Sequence, residues 1–396
     1  MADMVPLEMA LERMVAAVEP LATRALPLLD ADGCVLAEDC IATRTKPPFA
    51  VSAMDGYALA SVPAAGKQFA VIGEVPAGAH FAGTVGTREA VRIFTGAPIP
   101  DGGTHVLIQE DADRTGDTIR VLDNPGDGPN IRPAGGDFIK GDTLIAKGTH
   151  LTPQHLALAA SGNHADLLVH PKPTIAVMMN GDELAWPGKD APEDAIIASN
   201  GYALATLAQR FGAKLHDLTL IRDDQQELET YIGQCEADVL VTIGGASVGD
   251  YDLIRPALEA RGYALDVPKV ALRPGKPTLF GRKGTRTVLG LPGNPVSSMV
   301  SAMLFLRPLI DRLARRDPAP LLPLQKARLA VDVPANGPRA HFMRAVSDDQ
   351  RHVRPVSSQD SSLLRLLGNA NVLLYRPAHA QALCAGSDCE TLALPR

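Results

Sequence analysis

Aromatic residues are scarce in this chain: Phe, Trp and Tyr make up 4% of its 396 positions, with a single Trp. Its cores must therefore be filled mainly by Ala, Leu, Val and Ile. A basic excess is also lacking. Lys and Arg number 38 against 45 Asp and Glu, a net charge of −7, which speaks against non-specific nucleic-acid binding while leaving room for a local basic site. No apolar run reaches the length of a membrane span, so no membrane partner is expected. The first 21 residues have neither the basic start nor the uninterrupted apolar core of a secretory leader. Cysteine is sparse as well: Cys34, Cys40, Cys235, Cys384 and Cys389. An odd count without a leader gives an expectation of reduced thiols in the cytoplasm. Cys384 and Cys389 are close in sequence, but no second pair of zinc ligands lies near them.

The remaining composition, 46% hydrophobic and 21% charged, is that of a globular protein. The length exceeds one ordinary core, so two to four domains are expected. Leu7, Ala10, Leu11, Met14, Val15 and Val18 share one helical face, as in a packing or dimerisation helix. Residues 26–41 read as strand, turn and strand. Between about 42 and 140, short β-like runs ("FAVIGEV", "EAVRIFTG", "HVLIQED", "TIRVLD") are separated by Gly/Pro-rich turns, the pattern of a small all-β module. Thr152-Pro153 marks a helix start. From Lys172 to about 315, strands alternate with helices, with Ser199 or Asn200 as a cap, which indicates a doubly wound parallel sheet. Beyond about 320, β-like runs resume.

Ligands of doubly wound sheets sit beyond the carboxyl ends of the strands. That rule selects Asp182, Glu183, Asp223, Asp224, Asp250 and Asp252. Carboxylates converging at one sheet edge repel unless a cation intervenes, and hard oxygen donors suit Mg²⁺ together with phosphate oxygens. The stretch "LVTIGGASVGDYD" ends a buried strand on two glycines, which let backbone N–H groups approach an anion. The plain alternative is a tight strand-to-helix turn. In "KVALRPGKPTLFG", a Pro-Gly turn presents Arg273 and Lys276, either as an anion site or as a solvated basic hairpin. "GLPGNPVSS" is a rigid loop entering a helix, again a cradle or a fixed connection.

"SAMDGYA", "TGAPIP", "NGDEL", "GGASVGDYD", "RPGKP" and "LPGNPVSS" stand in this order and at the spacing of the MoeA family, which this chain resembles over nearly its whole length. Those proteins are molybdopterin molybdenumtransferases related to the gephyrin E domain. The resemblance implies an elongated helical/β domain from segments 1–41 and 141–170, and an inserted β domain at 42–140. It further implies a doubly wound molybdopterin-binding α/β domain at 171–317 and a C-terminal β domain at 318–396. It implies a homodimer whose active clefts are built by both subunits. The substrates would be molybdate and adenylylated molybdopterin, with Mg²⁺ as the cation and AMP released. A molybdopterin adenylyltransferase and apo-molybdoenzymes would be the partners, in the cytoplasm.

Residue by residue, the resemblance makes Asp55, Asp137, Glu183, Asp223 and Asp252 the catalytic acids, the last three also metal ligands. Gly244, Gly245 and Ser247 resemble the backbone cradle. Lys276, Pro277, Ser297, Arg344 and Ser361 resemble the molybdate pocket, and Arg273 is a further cofactor-binding position. The chain departs from the family pattern in three places. Ala50 and Val51 replace an Asp-Asn pair, "PAGGD" at 133–137 replaces "RRGED", and Arg273 replaces a Lys. Losing polar residues from two loops raises an alternative, a non-catalytic paralogue that binds molybdopterin or finished cofactor for storage or delivery. A gephyrin-like scaffold has less support, because no partner-binding insertion is visible.

Overall fold

The protein was studied as a computed structural model that describes residues 4–244, 253–267, 269–316 and 320–395. They divide into two compact units, one of Met1–Arg24, Gly33–Val35 and Val169–Arg396, the other of Ala25–Asp32 and Leu36–Leu168.

The first unit is built on a six-stranded sheet. Edge to edge, its strands are Lys214–Ile221, Thr174–Asn180, Val239–Ile243, Arg286–Leu291, Leu279–Lys283 and Ala264–Val267. Alternate residues of the strand Thr174–Asn180 serve two cores. Ile175, Val177 and Met179 pack with helices Asn200–Arg210 and Pro295–Leu313. Ala176 and Met178 pack with helices Gln225–Gln234 and Ile254–Ala260 on the other face. A strand covered on both faces is buried throughout, which is why it reads as one apolar run.

The first four strands are parallel, while Leu279–Lys283 runs antiparallel to both its neighbours, Arg286–Leu291 and Ala264–Val267. The sheet is therefore mixed where the sequence reading expects a parallel one. Only Gly284-Thr285 separates Lys283 from its partner Arg286, too little chain for the crossover that parallel neighbours require. Helix Leu7–Ala16 buries Leu7, Ala10, Leu11 and Met14 in the same core as the helix Pro295–Leu313. The apolar face legible in the sequence is thus covered within this chain.

The C-terminal strands Gln325–Leu329, Ala340–Ser347, His352–Pro355, Val372–Arg376 and Asp388–Ala393 close on themselves. Ala340–Ser347 pairs with both His352–Pro355 and Val372–Arg376, which leaves no free edge in the ring. Leu272–Arg273 joins it alongside Ala340 and His341. Cys384 is exposed and Cys389 buried, and among the described residues no group of three or more His, Cys, Asp or Glu is placed to hold a metal.

His341 is buried in this barrel. Burial, and then the charges of Arg273, Arg339, Arg344 and Arg376, push its imidazole down to about 4. The unfolded chain takes up this proton at higher pH than the folded one. Stability from the neutral imidazole is therefore complete above about pH 6.5 and lost as the pH falls toward the folded value. His341→Gln should remove on the order of 3 kcal/mol of acid-induced destabilisation between neutral pH and pH 4. Urea unfolding at both pH values reads the difference, and an unchanged pH slope would assign the acid sensitivity to other groups.

The second unit holds a six-stranded sheet in the order His105–Ile108, Gly56–Leu59, Glu89–Ile93, Gln68–Val75, Thr118–Val121, Ala112–Thr115. Its two faces again alternate: Tyr57, Leu59, Phe69 and Leu107 pack in one cluster, Ala58, Val91, Ile93 and Val106 in another. The helix Pro153–Ser161 starts where the Thr152-Pro153 signal puts it, with Thr152 and His155 forming a reciprocal cap.

Candidate functional site

The chain leaves strand Thr174–Asn180 through helix Asn200–Arg210 and adds Lys214–Ile221 on one side. It then crosses through helix Gln225–Gln234 to add Val239–Ile243 on the other side. The strand order reverses between Thr174–Asn180 and Val239–Ile243, and a crevice opens beyond their carboxyl ends. A cavity of about 540 Å³ lies there. Its polar lining is Asn180, Glu183, Ser199, Asn200, Asp223 and Asn294; Gly244 and Gly293 form part of the wall, and Leu184, Ile196, Ile197 and Pro277 supply apolar surface.

The strand-end carboxylates separate by role. Glu183 and Asp223 line the cavity. Asp182 is exposed, 3.9 Å from the Arg222 guanidinium, and accepts the Asp223 backbone N–H at 3.3 Å. Asp224 caps the helix Gln225–Gln234 by accepting the Glu227 N–H at 2.8 Å. Asp250 and Asp252, with Gly245 and Ser247, lie outside the described residues. Asp223 Oδ1 accepts a 2.8 Å bond from Asn180 Nδ2.

The glycines at the strand ends let this wall form. Gly244 has φ +102°, and a Cβ there would stand 2.9 Å from the Asn180 carbonyl oxygen. Gly293 lies against it, its nearest neighbour being the Gly244 Cα at 3.9 Å from a would-be Cβ. Asn200 donates at 2.7 Å to the Gly293 carbonyl. Its side chain therefore ties the "LPGNP" loop to the helix start, whereas Ser199 occupies the cap position without a side-chain bond.

The basic loop is fixed from below. Thr278 Oγ1 donates to the Gly275 carbonyl at 2.8 Å and meets Ser301 Oγ at 3.0 Å, which fastens the turn to the helix Pro295–Leu313. Arg273 and Lys276 are exposed on this loop, and Pro277 reaches the cavity wall. Ser297 is buried in the first turn of the same helix. Ser361 comes to that helix from the barrel side: its carbonyl accepts the Val296 N–H at 3.1 Å, and its Oγ accepts from Asn294 Nδ2 at 3.2 Å.

Arg344 is 1% exposed and does not line the cavity. Its guanidinium donates to the carbonyls of Leu363, Ser358 and Asp360 at 2.9, 3.0 and 2.8 Å. It holds in place the loop that carries Ser361, and desolvation lowers its pKa. Sequence reasoning passed over Asn180, Asn200 as a loop anchor, and Asn294. Their one sequence signal is a carboxamide ending an apolar run or bounding a Gly/Pro turn.

Asp55 and Asp137 belong to the second unit. Asp55 Oδ1 accepts from the Thr95 backbone N–H at 2.7 Å and the Thr95 hydroxyl at 2.8 Å. These bonds hold its carboxyl below the ordinary range and join the "MDGYA" motif to "TGAPIP". Asp137 lies 3.3 Å from the exposed Lys46 ammonium. Val51 is buried in a short strand paired with Arg132.

Residues 5–162 match the MoeA N-terminal region (domain I and II), 176–312 the probable molybdopterin binding domain, and 326–394 the MoeA C-terminal region (domain IV). The chain is 33% identical to molybdopterin molybdenumtransferase 2 of Mycobacterium tuberculosis, with 92% of this chain and 93% of that protein aligned. It is 35% identical to the molybdopterin molybdenumtransferase of Haemophilus influenzae over 78% of each. The solved molybdopterin biosynthesis MoeA protein of Pyrococcus horikoshii is similar with a TM-score of 0.76 and 28% identity, over 99% of both chains. With all three regions matched in order, and the crevice lying in the region matched as molybdopterin-binding, the chain belongs to the MoeA family of molybdopterin molybdenumtransferases.

Proposed function

We propose that this enzyme of molybdenum cofactor biosynthesis inserts molybdate into adenylylated molybdopterin in the crevice of its α/β sheet, hydrolysing the phosphoanhydride with Mg²⁺ and releasing AMP. The observation that carries the reading is one cavity at the strand-order reversal, combining two carboxylates with a glycine wall and a helix start. Gly244 and Gly293 keep side chains out of the space a phosphate would take, and the dipole of the helix starting at Pro295 favours an anion there. Glu183 and Asp223, with Asp252 added by the family resemblance, would hold the Mg²⁺. Their hard oxygens fit it. When bound, the cation neutralises phosphate charge and polarises the phosphoryl oxygens.

For molybdate, Arg273 and Lys276 offer cationic donors on a loop immobilised by Thr278 and Ser301, and Ser297 and Ser361 offer hydroxyls. Arg344 acts on this pocket through the loop it holds. Asp55 and Asp137 would complete the cleft in a homodimer working in the cytoplasm. Product would pass to apo-molybdoenzymes, and substrate would come from a molybdopterin adenylyltransferase.

Gly293→Val tests the cavity directly. The position has open space on the cavity side, so the fold should tolerate the side chain while the ligand meets it. Adenylylated molybdopterin should bind about tenfold or more weakly, a loss of at least 1.4 kcal/mol, with little change in melting temperature. Unchanged affinity would put the ligand elsewhere.

The buried, apolar Val51 in place of a polar loop residue favours a second reading, the non-catalytic paralogue that stores or delivers cofactor. Purified protein mixed with adenylylated molybdopterin, molybdate and Mg²⁺ separates the two. AMP release with activation of an apo-molybdoenzyme supports catalysis, whereas tight binding without AMP release selects the paralogue.

A further inference from the structure

Of the buried side-chain atoms without a hydrogen-bond partner among the described residues, Asn180 Oδ1 is the one whose residue lines the cavity. Asn180 is 8% exposed and ends the strand on one side of the crevice. Its Nδ2 donates to Asp223 Oδ1, which fixes the orientation of the carboxamide: the end facing the carboxylate is the donor, so the orphaned atom is the oxygen. A Cβ at Gly244 would stand only 3.0 Å from that oxygen, so the glycine is what lets the carboxamide sit there. A buried carbonyl oxygen without a donor is unfavourable in the free protein. Asp223 is exposed, so water can replace the Asn180 N–H if it is removed. The carboxamide therefore contributes little that the fold needs, and its orphan oxygen detracts.

We propose that Asn180 is a positioning residue of the cation site, its N–H group orienting the Asp223 carboxylate toward the bound divalent ion. This rests on the reading of Glu183 and Asp223 as cation ligands. Groups that orient metal ligands typically govern affinity by 10- to 100-fold.

The test measures Mn²⁺ binding by electron paramagnetic resonance on the full chain with saturating AMP, for wild type, Asn180→Leu and Asp223→Ala. Leucine keeps the approximate shape and removes both polar atoms. Asn180→Leu should weaken Mn²⁺ binding about tenfold or more, while its melting temperature without metal equals or exceeds that of wild type. Asp223→Ala should also weaken binding. If Asp223→Ala weakens Mn²⁺ binding and Asn180→Leu does not, the role of Asn180 is overturned and the cation site stands. If Asp223→Ala leaves binding unchanged, or wild type binds no Mn²⁺, the cation-site reading itself fails. A melting temperature several degrees lower in Asn180→Leu would make Asn180 a packing residue and overturn the proposal.

Discussion

Glu183→Ala should slow AMP release by about 10²- to 10³-fold, the loss corresponding to roughly 3–4 kcal/mol of transition-state stabilisation from a displaced cation. The fold should hardly notice. Glu183 is exposed at the cavity and makes no ion pair among the described residues, so its truncation removes no buried contact. The neighbouring Asp182 is the internal control. It lies outside the cavity lining, near the exposed Arg222, and pairs of that kind contribute little. Asp182→Ala should keep turnover within a few-fold of wild type. Equal losses in the two variants, or near-normal turnover in Glu183→Ala, would remove Glu183 from the chemistry.

The largest effect on stability is expected at Gly275. Its φ is +120°, and a Cβ would lie 2.4 Å from Ser301 Oγ and 2.8 Å from Leu272 Cδ2. Backbone strain of about 1–3 kcal/mol and a similar overpacking term should together cost Gly275→Ala roughly 3–5 kcal/mol. The damage is not confined to stability, since the same turn carries Arg273 and Lys276. Molybdate use should therefore weaken along with the urea midpoint. Adding Ser301→Gly relieves the overlap with the hydroxyl but leaves the backbone strain and forfeits the Thr278 contact, so it should restore only part of the loss. A single variant within about 1 kcal/mol of wild type would mean that the turn relaxes freely, contrary to the packing beneath it.

Much of the architecture was legible before any coordinates. The apolar residues 175–179, the polar turn after them and the helix that follows announce a buried strand of a doubly wound sheet, and the strand-end rule points to the crevice where the cavity lies. The helical face of Leu7, Ala10, Leu11 and Met14 is buried as its spacing predicts. The antiparallel strand escaped, because strand direction depends on the chain length between Lys283 and Arg286 as well as on apolar pattern.

The sequence by itself determined the periodicities, the turn glycines and the six family motifs, because each is written in residues a few positions apart and follows from covalent geometry. Only the tertiary structure decided which polar groups meet. Asp182 and Glu183 are adjacent in sequence, yet one lies near Arg222 and the other lines the cavity. Asp223 and Asp224 divide likewise, one into the cavity and one onto a helix N-terminus. Arg344 carries the charge expected of an anion ligand, but three carbonyls of the 358–363 loop claim its guanidinium. Asn180 gained its place in the cavity from Asp223 and Gly244, which lie 43 and 64 residues away. The direction a side chain takes after a strand depends on the turn's backbone angles and on what distant segments pack against it, and local sequence does not encode those partners.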